Sequence, residues 1–310
     1  MRLAQAWARG GAGGALSAGE AHRRWARLRA LTAPASQRLC EQLRLVLAPQ
    51  VATKLRGDYR AGKRINMRRV IGYIASGFRR DKIWLRRTKP AKRAYQVLVA
   101  IDDSESMKDR GAGNVAMAAL ALVASGLTQL EVGQMAVARF GERMQLLHGF
   151  DDAFTEDSGA HVLASFGFDQ ALTRTGVLLE QAQRFMEAAA DDAAARGGGG
   201  GGGDAPRQLV FVISDGHCER ESRREVARRI RDMSDRGQLV ALIIIDRGGD
   251  DSIVNMNSVA FARGGVVTRR YLDGYPFPYY IVLRDLQALP DILADALRQW
   301  FELVQRQQEA

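Results

Sequence analysis

Two short apolar runs, each closed by an aspartate, constrain this chain more than any other feature. Residues 97–101 (VLVAI) and 209–213 (LVFVI) show no polar alternation. That is the pattern of central strands covered on both faces of a parallel sheet. Polar chemistry then begins abruptly, with Asp102, Asp103, Ser104 and Ser106 after the first run and Asp215 after the second. In open α/β sheets the carboxyl ends of the strands are where ligands bind. The spacing D-x-S-x-S puts one carboxylate and two hydroxyls on one tight loop, and hard oxygen donors of that kind suit Mg²⁺. Asp and Ser also cap helices, so this loop alone has two readings. A third loop between the runs, LTRTG, adds Thr173 or Thr175 just before a helical stretch. Oxygen donors on three loops favour a metal site over a cap.

The rest of the chain alternates strand and helix patterns, as in a doubly wound α/β fold with a mainly parallel, Rossmann-like sheet. Strands are expected at 96–101, 134–140, 144–148, 209–213, 239–245 and 279–283. Helices are expected at 113–129, 160–166, 175–190, 219–236, 253–260 and 290–306. The strands at 134–140 and 144–148 flank Gly141-Glu142-Arg143 and read as a hairpin. Upstream, apolar residues at three- and four-residue intervals predict helices over 20–33 and 36–55, with Pro49 dividing the second. A further helix is expected at 65–78 and a short strand at 82–85. The domain division that follows is a disordered start at 1–20, a helical basic linker at 21–94 and an α/β domain at 95–310. Seven consecutive glycines at 197–203 read as a flexible surface loop.

Net charge is +10, and its distribution matters more than its total. Residues 54–93 hold fifteen Lys and Arg against two Asp, a net +13, so the remainder of the chain is slightly acidic. Such a segment points to an electrostatic partner, an RNA or an acidic protein, and its octet RRTKPAKR at 86–93 suggests nuclear import. Two distant cysteines, Cys40 and Cys218, give no disulfide framework. No apolar run approaches the roughly 20 residues of a membrane-spanning helix, and no membrane partner is expected. The acid-free start, residues 1–19, reads as a composition-biased terminus in preference to a transit peptide.

Rival chemistries fail on context. GDYRAGKR at 57–64 satisfies G-x-x-x-x-G-K, but Arg64 stands where a phosphate-binding loop needs Ser or Thr, and the stretch before it reads as helix. An aspartate-nucleophile phosphatase needs a second Asp where this chain has Ser104. No G-x-S-x-G elbow is present for serine hydrolysis. The chain is expected not to be an enzyme.

Aspartate, two serines, threonine and aspartate, in that order, resemble the metal-ion-dependent adhesion site of the von Willebrand A family. The stretches GDYRAGKRINMRRVIGYIAS, DKIWLRRTKPAKRAYQ, VAIDDSESM, LTQLEVGQMAV, FGERMQLLH, YPFPYYIVLRDLQALP and DALRQWFELV further resemble the carboxyl-terminal end of the midasins, dynein-related AAA ATPases of ribosome assembly. The resemblance covers about residues 20–310. It implies a Mg²⁺ site, with Mn²⁺ as the alternative, held by Asp102, Ser104, Ser106, Thr173 and Asp215. Thr173 is preferred because the first threonine of a T-x-T pair usually holds this position in the wider family. It also implies a docking role: gripping the ubiquitin-like domain of a WD-repeat assembly factor through an acidic residue, on the pre-60S particle in the nucleus. The family's ATPase modules have no counterpart here, so a carboxyl-terminal fragment, a truncated gene model and a stand-alone docking protein all remain open. The alternative function is a basic RNA or pre-ribosome docking module that works through residues 54–93 without metal.

Overall fold

A computed structural model describes residues 17–47, 56–86, 95–109, 111–130, 133–196, 206–217, 223–246, 248, 252–262 and 265–309. Chain contacts divide it into two compact units, residues 47–93 and the combination of 1–46 with 94–310. This differs from the expected division: the first long helix belongs to the α/β unit, and the basic segment is a unit of its own.

The larger unit opens with α1 (Ala18–Leu47), a single helix of 30 residues. It starts earlier than expected because Ser17 and Glu20 form reciprocal bonds, Glu20 N–H to Ser17 Oγ at 3.4 Å and Ser17 N–H to Glu20 Oε2 at 3.2 Å. It also runs unbroken through Pro34, where two helices were expected. Pro removes one helical hydrogen bond, and burial of Trp25, Leu28, Leu39 and Leu43 along one face offsets that loss. Pro49 lies outside the described residues.

The smaller unit contains β1 (Arg56–Tyr59), β2 (Arg64–Ile65), α2 (Met67–Ala75) and β3 (Trp84–Arg86). Its strands form an antiparallel sheet in the order β1-β3-β2. The G-x-x-x-x-G-K stretch therefore connects β1 to β2, the two outer strands that each pair with β3, and has no strand-loop-helix setting for phosphate.

Chain order continues with β4 (Tyr95–Asp102), α3 (Glu105–Asp109), α4 (Ala112–Leu130), β5 (Gln134–Phe140), β6 (Met144–His148), α5 (Glu156–Ala164) and α6 (Thr175–Arg196). There follow β7 (Arg207–Ser214), α7 (Arg223–Asp235), β8 (Gln238–Ile245), β9 (Asn257–Ala262), β10 (Gly265–Arg270), β11 (Tyr280–Leu283) and α8 (Leu289–Glu309). The main sheet has the order β11-β8-β7-β4-β5-β6. All its pairs are parallel except the β5–β6 hairpin. This is the expected doubly wound fold class, with β4 and β7 central.

Leu98 and Ala100 of β4 share a buried cluster with Val210 and Val212 of β7, Leu178 and Met186 of α6, and Val226 and Ile230 of α7. The helix α4 packs on β4 as well. At 19 residues it is long and apolar enough to cross a membrane by length and composition, contrary to expectation, yet much of it is buried in the core. One expected helix is replaced. Residues 253–255 form a turn, and Asn257–Ala262 and Gly265–Arg270 form the antiparallel pair β9–β10. The polyglycine stretch lies outside the described residues.

Candidate metal centre

The strand β4 ends at Asp102 because the side chain there takes over the next backbone donor. Asp102 Oδ1 accepts from the Ser104 N–H at 3.0 Å, which turns the chain sharply toward α3. Its other oxygen accepts from the Ser214 hydroxyl at 2.7 Å, from the last residue of neighbouring β7. Asp102 is fully buried. Burial is the main influence on it, and with the facing charge of Asp215 it raises the carboxyl to about 6, against the lowering effect of its hydrogen bonds.

Asp215 follows directly from β7 and is also buried. Burial acts to raise its pKa most strongly. The ring of His217, the Ser106 hydroxyl and the His217 N–H together outweigh burial and hold it below its ordinary value. The His217 N–H donates to Oδ1 at 3.1 Å. Oδ2 of Asp215 is buried and has no hydrogen-bond partner among the described residues. Gly216 makes this turn possible at a φ of +85°, and a Cβ there would meet Ile253 Cδ1 at 2.6 Å. The Tyr275 hydroxyl donates to the Gly216 carbonyl at 2.7 Å and pins the loop from outside.

Ser104 and Ser106 turn toward one another, with their hydroxyl oxygens 3.0 Å apart. Four of the five expected ligands, Asp102, Ser104, Ser106 and Asp215, are thus linked by hydrogen bonds or direct electrostatic coupling. The third loop is tied to the first by its backbone. Ser104 pairs with Gln170 as an isolated parallel bridge, the Glu105 N–H donates to the Gln170 carbonyl at 3.0 Å, and the Gln170 N–H to the Asp103 carbonyl at 3.2 Å. Thr173 is half-buried three residues further on, and Thr175 is buried as the first residue of α6. Neither threonine hydroxyl makes a hydrogen bond among the described residues.

Asp103 turns away from this cluster and organises the loop behind it. Its carboxylate accepts from the N–H groups of Gly167 (3.2 Å) and Phe168 (2.7 Å), the Gln170 amide (3.1 Å) and the Arg139 guanidinium (3.2 Å). Phe168 is held at a φ of +50°, a conformation that costs a non-glycine residue energy. Burial is the main influence on Asp103 and, with the nearby charge of Asp169, raises its carboxyl against the lowering effect of Phe168, Gln170 and Arg139. Asp103, Ser214 and Gln170 were not legible as functional residues, because their partners lie dozens of positions away in sequence; His217 acts on Asp215 two residues before it, and its role shows only in the geometry of that turn.

The donor set fits a divalent cation. Two buried carboxylates repel one another, one buried oxygen is unpartnered, and hydroxyl oxygens complete the lining. Hard oxygen donors favour Mg²⁺ or Mn²⁺. Among the described residues no three His, Cys, Asp or Glu side chains gather as a ligand group, so hydroxyls would have to contribute.

No family model matches the chain. It is 42 % identical over 285 residues to midasin of Dictyostelium discoideum, covering 92 % of this chain and 5 % of that protein. It is 40 % identical over 278 residues to midasin of Giardia intestinalis, covering 88 % of this chain and 6 % of that protein. The chain thus spans a small part of the relatives it matches. Among solved structures it is similar to a von Willebrand factor type A protein from Catenulispora acidiphila, with TM-score 0.43, 17 % identity, 68 % of this chain and 43 % of that one. It is also similar to proximal thread matrix protein 1 from the mussel byssus with a zinc-occupied MIDAS motif, with TM-score 0.42, 16 % identity, 66 % of this chain and 47 % of that one.

Proposed function

We propose that this chain, similar over 92 % and 88 % of its length to segments of two midasins, is a divalent-metal-dependent protein-docking domain. The observation that carries the reading is the meeting of Asp102 and Asp215 at the carboxyl ends of adjacent parallel strands, with one buried carboxylate oxygen unpartnered among the described residues. Asp102 and Asp215 would hold the cation by charge, and Ser104, Ser106 and Thr173 by their hydroxyl oxygens. When bound, Mg²⁺ supplies a coordination position that an acidic side chain of a partner completes. Ser214 and the Ser104 N–H keep the Asp102 carboxylate oriented toward its neighbours. Asp103, acting through Gln170, Gly167 and Phe168, holds the loop leading to Thr173 against the first loop.

The proposed partner is the ubiquitin-like domain of a WD-repeat factor of large-ribosomal-subunit assembly, docked for removal from the pre-60S particle. A charged anchor in a partly desolvated contact acts as a hot spot, with the surrounding contacts excluding water. Titrating the chain with such a domain in Mg²⁺ and again in EDTA tests this. Binding should require Mg²⁺ and fall at least about tenfold in Asp215→Ala, a loss of ~1.4 kcal/mol or more. Affinity indifferent to both would overturn the reading.

A further inference from the structure

The smaller unit carries a surface of its own. On α2 and the turn after it, Met67, Ile71, Ile74 and Phe78 are 74 %, 76 %, 59 % and 63 % exposed. On the helix itself, Met67, Ile71 and Ile74 are spaced by four and three residues, as in the narrow a/d seam by which one helix packs along another. Nothing in the helix is buried, so the seam is unpartnered among the described residues. Phe78 adds a fourth exposed apolar side chain just past the helix end at a φ of +68°, a left-handed conformation uncommon for a bulky residue. Its N–H bonds to the Tyr73 carbonyl at 3.0 Å, and its ring stands edge-on to Tyr73 at 5.1 Å. The turn thereby keeps a large apolar ring in water.

The charge around the seam is one-sided. Asp58 and Asp81, the only acids in residues 47–93, are already paired with Arg69 at 2.9 Å and Arg60 at 3.1 Å. Lys63, Arg68, Arg79 and Arg80 are exposed and make no ion pair among the described residues. We propose that this face is a docking site for an acidic amphipathic helix of a partner protein, its apolar stripe on Met67, Ile71, Ile74 and Phe78 and its carboxylates on the flanking cations. RNA is the poorer fit. Three of the four seam residues are aliphatic and offer no stacking surface, and a phosphate backbone would leave them exposed. A lipid surface is also poorer, because it would fit a broad apolar face and this stripe is one side chain wide.

The test uses the full chain and a fluorescent three-heptad peptide with Leu at the a and d positions and Glu beside them. The control has the same residues shuffled off the seam. The heptad peptide should bind at least about tenfold more tightly than the shuffled one. Ile71→Ser with Ile74→Ser should remove that difference without altering the melting temperature, since both side chains are exposed. Binding should persist in EDTA, which separates it from the metal centre. Equal binding of the two peptides, no binding, or tighter binding of oligouridylate or phosphatidylserine vesicles unaffected by the serine variant would each overturn the proposal.

Discussion

Asp102 and Asp215 bring like charges into one buried place, and the protein without metal bears the cost. The Asp102 carboxyl is raised from 3.8 to about 6, so the folded chain holds that proton more tightly than the unfolded chain. The stability it contributes is complete below about pH 4 and is lost as pH rises through about 6, up to ~3 kcal/mol. Thermal melts in EDTA should therefore show a downward trend from pH 4 to 7 that is shallower in Asp102→Asn, and Mg²⁺ should raise the melting temperature most near pH 7. An identical pH trend in the two proteins would contradict this account of Asp102. Burial raises the Asp103 carboxyl as well, but Asp103 pairs with a cation, Arg139, and accepts three further hydrogen bonds. Alanine there leaves two backbone N–H groups, an amide and a guanidinium without their acceptor. It should cost roughly 3 kcal/mol in urea unfolding and weaken metal binding through the displaced loop. Of these residues, the sequence motif could reveal only the ligands. The carboxylate of Asp103 is adjacent to a ligand yet serves another loop, and only the fold shows which way it turns.

At the scale of elements, the strands were legible where burial on both faces removes polar alternation. The expected limits of β5 and β6 match the structure, and those of β4 and β7 fall within one or two residues of it. The segment 253–260 was misread because a short mixture of apolar and polar residues, IVNMNSVA, does not separate helical from strand spacing over so short a length. At the amino end of the sheet, glutamines from four neighbouring strands bond side chain to side chain. Gln238 donates to Gln208 at 2.8 Å, Gln208 to Gln96 at 2.9 Å and Gln96 to Gln134 at 3.1 Å. This amide ladder pairs most of these buried amide groups while linking neighbouring strands, and leaves Gln238 Oε1 at its end without a hydrogen-bond partner among the described residues. It joins positions up to 112 residues apart, which no local pattern reveals. The attachment of α1 was equally hidden. Trp25 is buried, stands edge-on to Phe154 at 5.9 Å and lies so close to Gly159 of α5 that a Cβ there would fall on the indole. Trp25→Ala should cost about 3–5 kcal/mol, and Gly159→Ala should also destabilise by forcing the indole out. Denaturation unchanged in both would show that α1 adds nothing to the α/β unit.

On the scale of the whole molecule, each of the two units carries one of the two proposed recognition surfaces. The α/β unit gathers oxygen donors at the carboxyl end of its central strands, and the smaller unit gathers cations around an apolar seam. The basic bias of residues 54–93 was plain from composition, but the seam became visible only once α2 was seen to bury none of its residues. The fold class was legible because the two strand-end aspartates and the alternating pattern agree with one architecture. The most direct test of the central claim is calorimetric titration of the purified chain with Mn²⁺ and Mg²⁺, beside Asp215→Ala. One cation should bind the wild-type chain, and Asp215→Ala should lose that binding while keeping its melting temperature in EDTA. A wild-type chain that binds no divalent cation, or an Asp215→Ala chain that binds it equally well, would contradict the metal centre described here.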